Sequence, residues 1–476
     1  MEHHQNKTVS LTIDGFPVTV PSGTTILEAA KKINVNIPTL CQYHELCKPA
    51  LCRLCVVECD GRGKLMAACA TEVSEGVKVE TNTFRILNIR KTILELLLAN
   101  HPDECLSCVK NQNCELQKFA IIYGVRGSAY RHVGKPKPRK VSAETITLDM
   151  GKCVKCGRCA EVCQEYQKVG AINSAYRSND YRISTPYARD LNDGPCVFCG
   201  KCVSVCPVGA VYHHDQSAEV RAELDRSEQY AAAQISPTAA QALAAAAGFP
   251  EGSITTGKII SALKTLGFKK VYDTDVFADL AIQEKARILA EHLKKKNKNP
   301  VITSCTPGWM NLLKNAYPDL IDNHPSCKNY VQTFNSVIRN QPGEAGTTPE
   351  KITTVSVTPC LAKKYGAKYT LIPAEFLQLL FTKGIEIRNQ PESSFGIPEQ
   401  KLPDTDQSFV SLKSALNAKN HEKFNEHEIN FEGAKIKILV VNGIANARKI
   451  MDSIREGKCD AALVDVRYCG ECGDRC

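Results

Sequence analysis

A chain of 476 residues with 43% hydrophobic and 23% charged side chains has ordinary globular composition and room for about three domains. No run of about 18 apolar residues occurs, which argues against a spanning helix, and the N-terminus has no basic-then-apolar leader, so a cytoplasmic protein is expected. Sixty basic and 51 acidic side chains give a formal charge of +9, and 24 cysteines in a reducing compartment point to metal or redox chemistry rather than disulfides.

Residues 8–20 alternate apolar and polar about Asp14-Gly15, the pattern of a β-hairpin. Thr25 and Glu28 form a capping box ahead of a short apolar helix. A small mixed domain follows from these two elements. The loop after Pro38 then opens the series Cys41, Cys52, Cys55 and Cys69, spaced C-x10-C-x2-C-x13-C. Four such thiolates can converge on one small iron-sulfur cluster whose sulfurs accept backbone N–H groups. They would also suit structural zinc, although a zinc ribbon usually pairs two short knuckles and only one occurs here. Cys47 and Cys59 fall off the spacing and read as spare thiols.

Ile86–Leu98 has helical apolar spacing and leads to His101-x3-Cys105-x2-Cys108-x5-Cys114. One imidazole and three thiolates complete a ligand set for a 4Fe-4S cluster or for zinc. Arg131 to Lys140 is basic, proline-containing and aperiodic, so it reads as a linker. Next, Cys153, Cys156, Cys159 and Cys163, then Cys196, Cys199, Cys202 and Cys206, repeat C-x2-C-x2-C-x3-C. In this double motif each fourth cysteine serves the other cluster, so two 4Fe-4S clusters are expected. One would use Cys153, Cys156, Cys159 and Cys206, and the other Cys196, Cys199, Cys202 and Cys163. Gln164 stands where proline is common, and the stretch between the motifs reads as an inserted loop. Four oxidised clusters would contribute about −7, leaving about +2, so the basicity is mostly internal and nucleic acid is not expected as a partner. Lys48, Arg53, Lys152, Lys155, Arg158 and Lys201 surround the cysteines and are expected to form a positive docking surface.

The run Ala231 to Phe249 is broken by Gln234, Ser236, Pro237 and Gln241 and reads as a helix-turn segment. Beyond about residue 226 helices and strands alternate. Residues 257–267 form a helix closed by glycine, 270–272 a strand, and the strand-like runs 300–304, 354–358 and 461–466 deliver Cys305, Cys360 and Cys469. At the carboxyl edge of one open sheet these three cysteines would face a common cleft. Cys459 precedes its strand and belongs at the opposite edge.

These motifs together resemble the iron-only (FeFe) hydrogenases, with an N-terminal arm similar to the large Fe-S subunit of respiratory complex I. The resemblance rests on the ordered cysteine motifs and on Thr256-Gly257-Lys258, Val271-Tyr272-Asp273-Thr274-Asp275, Thr303-Ser304-Cys305-Thr306-Pro307-Gly308-Trp309, Pro359-Cys360-x2-Lys363 and Asn442-Gly443-x2-Asn446-Ala447. It implies a multidomain α+β and α/β chain. A plant-type β-grasp 2Fe-2S domain would span residues 1–85, a one-histidine, three-cysteine 4Fe-4S segment 86–125 and a linker 126–141. A double 4Fe-4S ferredoxin-like domain would span 142–218 and a hydrogenase-like domain 226–476.

Several signature positions depart from that family. Its T-S-C-C-P-x-W places a relay thiol before a cluster ligand; here Cys305 is followed by Thr306, which supplies no soft thiolate. Cys360 and Lys363 match the second signature, but Gly366 replaces its glutamate. Cys469 matches the third signature, and Gly473 occupies its second cysteine position. Lys285 and Ile288 replace relay acids, and residues 385–435 are short and polar where a glycine-rich segment is expected. No diiron H-cluster is therefore expected. An ordinary Fe-S cluster could instead use Cys305, Cys360, Cys469 and Cys472, with Cys327 and Cys476 as substitutes.

The function implied is that of an oxidoreductase subunit, similar to the large subunit of electron-bifurcating hydrogenases, carrying electrons between ferredoxin and NAD(P)H. No G-x-G-x-x-G follows a strand, so a flavin- and NAD(P)-binding partner is expected, together with a small 2Fe-2S subunit. An active hydrogenase with altered ligation and an Fe-S redox sensor are the alternatives.

Overall fold

The computed structural model describes residues 8–43, 50–60, 64–130, 140–226, 230–236, 239–295, 299–340, 351–396, 407–417 and 422–468. It divides the chain into two units, residues 1–191 with 201–212 and residues 192–200 with 213–476.

In the first unit, strands β1 (Thr8–Ile13) and β2 (Phe16–Pro21) form the expected hairpin. Asp14 and Gly15 both take positive φ, 49° and 82°, as its tight turn requires. Helix α1 (Ile26–Lys32) begins in the predicted Thr25/Glu28 capping box and buries Ile26, Leu27, Ala29 and Ala30. Strands β3 (Val56–Cys59), β4 (Lys64–Ala67) and β5 (Lys78–Glu80) complete a sheet ordered β2-β1-β5-β3-β4. Its core of Leu11, Ile13, Val20, Leu27 and Val57 backs the cysteine loops, in the manner of a β-grasp domain.

Helix α2 (Phe84–Ala99) leads through the His101 loop to α3 (Glu115–Ile122). The linker expectation falls mostly on residues 131–139, outside the described residues, and Lys140 already begins strand β6 (Lys140–Ser142). Next come β7 (Ile146–Asp149), α4 (Arg158–Glu161) and a π-helical turn at Val162–Tyr166, where Gln164 bonds Asn173. The inserted loop contains a small hairpin of β8 (Asn173–Ala175) and β9 (Arg182–Ser184). Helix α5 (Lys201–Val205) and strand β10 (Val211–His213) follow.

In the second unit, α6 (Ser217–Leu224) precedes β11 (Tyr230–Ile235). Residues 230–235 are thus a strand and not part of a helix-turn segment. Flanked on both sides by parallel partners, small alanines suit a buried central strand despite their helical propensity. Helix α7 is confined to Ala239–Ala246. Helix α8 (Thr256–Leu266) ends at Gly267 as predicted, before β12 (Lys270–Asp273).

The remaining elements are α9 (Thr274–Lys294), β13 (Val301–Ser304), α10 (Trp309–Ala316), α11 (Tyr330–Arg339), β14 (Ile352–Val357), β15 (Thr370–Leu371) and α12 (Pro373–Thr382). Then follow α13 (Gln407–Asn417), β16 (Phe424–Phe431), β17 (Ala434–Asn442), α14 (Ile444–Arg455) and β18 (Leu463–Arg467).

These strands form two four-stranded sheets rather than one, ordered β12-β11-β14-β15 and β13-β18-β17-β16. Helix α9 joins their cores. Phe277 and Ala278 pack with Tyr272 and Phe334, while Ile282 and Leu289 pack with Val301 and Leu463. Among the described residues, no helix is long and apolar enough to cross a membrane.

Candidate metal centres

Cys41, Cys52, Cys55 and Cys69 are brought together beside the β-grasp core. Cys55 Sγ lies 3.3 Å from Cys69 Sγ, and the Cys41 thiol bonds both Cys52 and Cys69. Hydrogen bonds from Cys52 and Cys69 hold Cys41 far below the usual thiol range, and the Cys69 bond lowers Cys55 to about 7. Cys52 and Cys69 are driven up, first by their bonds to Cys41. Four thiols held this close together suit a multinuclear centre that takes them as thiolates. Leu40 N–H points at Cys52 Sγ from 3.4 Å, as a cluster loop requires. Cys59 is buried in β3, and Cys47 lies outside the described residues.

Arg90 holds this loop. From the buried stripe Ile86-Arg90-Leu94 of α2, its guanidinium bonds Leu54 O (3.2 Å), Val56 O (2.9 Å) and Tyr123 Oη (3.3 Å). An arginine in register with apolar residues was the signal in the sequence.

His101 follows the end of α2, Cys105 sits in a 3₁₀ turn, and Cys114 caps α3; with Cys108 they line one cleft that also includes Gln117 and Lys152. Burial, then Lys152, lowers the His101 pKa, so its imidazole is neutral with a free lone pair for a metal. Burial raises Cys114, while the N–H groups of Gln117 and Leu116 favour its thiolate. A Cβ on Gly209 would lie 2.6 Å from Cys108 Sγ, so only glycine lets the two segments approach this closely.

Cys153, Cys156, Cys159 and Cys206 form the next group. Cys159 is enclosed, and its thiol is pushed well up by burial and then by the charges of Cys153, Cys156 and Cys206. Burial also raises Cys153 to about 11 and Cys156 to about 12. Such thiols release their protons only to a cation that replaces them. The N–H groups of Ile172, Ala171 and Gly170 surround Cys163. Cys163 and Cys202 belong to the first unit, Cys196 and Cys199 to the second. Among the described residues, no three His, Cys, Asp or Glu side chains close on a point small enough for one metal ion. A cluster, being larger, takes its ligands further apart.

Arg158 was expected on a positive surface and is instead 2% exposed. Its guanidinium is spent on internal acceptors. Of the other bases, Arg53 and Lys155 are exposed, Lys152 and Lys201 half-buried, and Lys48 lies outside the described residues.

In the second unit, Cys305 leaves β13 in one sheet and Cys360 follows β14 in the other, so two sheets rather than one edge supply these thiols. Lys363 joins them: its N–H bonds Cys360 O at 3.1 Å, its Nζ donates to Cys305 O, and its ammonium lies 4.1 Å from the Tyr330 ring centroid. The loop carrying Cys196 and Cys199 packs on this region. Asn311 Nδ2 bonds Cys196 O at 3.2 Å, and Phe198 stacks on Tyr365 with centroids 4.3 Å apart.

Thr306 and Tyr468 are buried, and their hydroxyls face each other without good hydrogen-bond geometry to any partner among the described residues. Cys305, Cys199 and Cys360 all lie within electrostatic reach of Tyr468. The site thus offers thiols and orphaned hydroxyl donors to a guest with acceptor atoms, which fits a sulfide-bearing cluster. Gly366 has φ of +71°, a conformation that strains the glutamate expected there.

Lys285 and Asp465 were not paired by sequence reasoning. They meet at 2.6 Å, both buried, with Thr303 Oγ1 also 2.6 Å from Asp465 Oδ1. Ile288 packs against the neighbouring apolar core. Cys327 is half-buried and its thiol is raised to about 11 by burial, with Lys285 opposing. Cys459 lies before β18 beside Asp460 and Lys437. Cys469, Cys472 and Cys476 lie outside the described residues.

Residues 229–472 match the family described as iron only hydrogenase large subunit, C-terminal domain. Residues 6–83 match a 2Fe-2S iron-sulfur cluster binding domain, 90–129 the NADH-ubiquinone oxidoreductase-G iron-sulfur binding region, and 152–210 a 4Fe-4S dicluster domain. The NADP-reducing hydrogenase subunit HndD of Solidesulfovibrio fructosivorans is 33% identical over 98% of this chain and 87% of its own. Iron hydrogenase 1 of Clostridium pasteurianum is 33% identical over 75% of this chain and 63% of its own. The NADPH-Fe(3+) oxidoreductase subunit alpha of Geobacter sulfurreducens is 37% identical over 39% of this chain and 22% of its own. With cluster-binding domains along the first half and the catalytic-domain likeness along the second, the chain belongs to the iron-only hydrogenase large-subunit family of oxidoreductases.

Proposed function

We propose that the chain is the electron-transfer subunit of a multisubunit oxidoreductase that links ferredoxin to NAD(P)H, by electron bifurcation, through a flavin-bearing partner and a small 2Fe-2S subunit. Cys41, Cys52, Cys55 and Cys69 would hold a 2Fe-2S cluster; His101 with Cys105, Cys108 and Cys114 would hold a 4Fe-4S cluster. The double motif would hold two more, with Cys206 and Cys163 exchanged between them. Bound there, these groups supply one-electron transfer, and the hydride step belongs to the partner's flavin. The residues of the chain orient backbone amides at these thiolates and keep Cys41, Cys55, Cys69, Cys156, Cys159 and Cys206 buried from water, while Cys105 is exposed.

The hydrogenase-like domain is read as holding an ordinary Fe-S cluster, or none, in place of an H-cluster. The observation that carries this reading is Thr306, buried directly after Cys305 where a thiolate is needed. A hydroxyl donates to a cluster sulfide but does not replace a soft ligand. Two further features support it: Lys363 is engaged by the Cys305 carbonyl, and Lys285 is closed in an ion pair. The HndD relative, named as a subunit of an NADP-reducing hydrogenase, supports a nucleotide-linked complex.

Infrared spectroscopy of protein produced with hydrogenase assembly factors tests the proposal, together with iron and acid-labile sulfide content and EPR. Cluster signals without carbonyl or cyanide bands are expected. Those bands, with hydrogen evolution, would establish an active hydrogenase instead. Clusters that respond to redox poise without supporting ferredoxin- or NAD(P)-linked turnover in the complex would favour a sensor.

A further inference from the structure

We propose that Arg158 is the common positioning residue of three metal sites, one buried cation that ties their loops together and favours the arrival of an electron at each. The inference rests on the ligand reading above.

Arg158 lies between Cys156 and Cys159. Its Nη1 and Nη2 take the two Glu115 carboxylate oxygens at 2.7 and 2.9 Å. Nη2 also reaches Gln42 O at 3.0 Å, and Nη1 reaches Val205 O at 3.4 Å. The guanidinium sits 5.3 Å from the Tyr43 ring centroid. Each acceptor adjoins a candidate ligand: Gln42 follows Cys41, Glu115 follows Cys114, and Val205 precedes Cys206. One planar fork therefore bonds next to the 2Fe-2S site, the His101 site and the Cys153 site. Glu115 N–H adds a bond to Pro207 O at 2.9 Å.

The chemistry favours arginine. Its fixed fork meets a carboxylate and carbonyls from separate directions, whereas lysine offers one compact charge. Removal of a buried cation from such acceptors leaves them uncompensated. A cluster gains negative charge on reduction, so a fixed positive charge in a poorly screened interior stabilises the reduced form. Glu115 opposes that effect. The two charges should therefore act on the potentials with opposite sign, which a purely mechanical tie would not do.

The test uses the full chain carrying its clusters, with iron and sulfide counted first. A wild-type chain without clusters would remove the ligand reading and this inference together. With cluster content intact, Arg158→Gln is expected to move the midpoint potentials of the 2Fe-2S site, the His101 site and the Cys153 site to more negative values. Arg158→Lys should largely restore the potentials yet alter the EPR splitting between reduced clusters, because the charge is kept and the fork is lost. Glu115→Gln should move the potentials the other way. If Arg158→Gln loses its clusters, the sign of the Glu115→Gln shift decides. Unchanged potentials in the variants that retain clusters, or a negative shift in Glu115→Gln, would overturn the proposal.

Discussion

Lys285 Nζ lies 2.6 Å from Asp465 Oδ1, and neither side chain reaches solvent to any extent. Burial is the largest influence on each and works against both charges, but Asp465 with the nearby Cys327 and Cys305 outweighs it at the lysine, and Lys285 with Arg467 and Thr303 outweighs it at the aspartate, so the lysine pKa is raised and the aspartate pKa lowered. A permanently charged, paired ammonium does not pass protons at neutral pH. Where the family resemblance implies relay acids on this helix, α9 contributes Lys285 to a closed ion pair with Asp465 of β18.

Removal of one partner strands the other as a buried charge. Asp465→Asn or Lys285→Met should each cost about 3–5 kcal/mol in denaturant unfolding of the chain, while Lys285→Met with Asp465→Leu should recover most of that loss. Additive losses in the double variant would show that the two residues are not coupled.

What could be read in the sequence was local. The hairpin turn at Asp14-Gly15, the Thr25/Glu28 box and the short cysteine spacings are contained within a few residues, and the turn and the box formed as expected. What could not be read was remote. Lys285 finds Asp465 across 180 positions, and Arg158 finds Gln42 across 116. A basic residue beside cysteines looks solvent-exposed until its acceptors are known. Residues 230–235 misled for another reason: alanine favours helix, and only the flanking strands make it a sheet core. The division of the hydrogenase-like part into two sheets likewise depends on pairing that no short window contains.

Cys199→Ser should damage the 4Fe-4S cluster of the second ferredoxin-like motif, because serine is a harder and more basic ligand than thiolate. EPR of the reduced protein checks this through loss or change of one signal. An unaltered spectrum with undiminished electron transfer would remove Cys199 from the ligand set.

Ferredoxin-coupled turnover of the complex should fall as ionic strength rises through about 0.1 M, where the Debye length is about 10 Å. The accessible bases for this attraction are Arg53, Lys152, Lys155 and Lys201, since Arg158 is consumed internally. Charge reversal at Arg53 and Lys155 should flatten the salt dependence. Turnover indifferent to salt in the unaltered complex would place ferredoxin docking on another subunit.

His324 gives a pH dependence of stability. Its Nδ1 bonds Ile302 O at 2.7 Å, and burial lowers its pKa below 6.5, with Lys285 adding to the effect. Between the lowered folded value and 6.5 the unfolded chain binds more protons, so stability rises with pH. The contribution is present above 6.5 and is lost as pH falls through the folded value. Thermal unfolding from about pH 7.5 to about pH 5.5 should show a shallower decline in His324→Gln than in the parent chain. His213, also lowered by burial, keeps part of the slope in both. Identical slopes would mean that His324 does not titrate in this range.

Thr306→Cys restores the missing soft ligand next to Cys305 and separates the loss of a ligand from the loss of a proton path. Thr306 is buried and faces Tyr468, so a thiol of similar size fits without repacking. With Cys305 and Cys360 nearby, the variant should bind more iron and sulfide than the parent chain. Hydrogen evolution should nevertheless stay absent after exposure to the assembly factors, because Lys285 remains locked to Asp465 and Gly366 still replaces an acid. Activity from Thr306→Cys alone would show that one ligand, and not the proton path, is what this domain lacks.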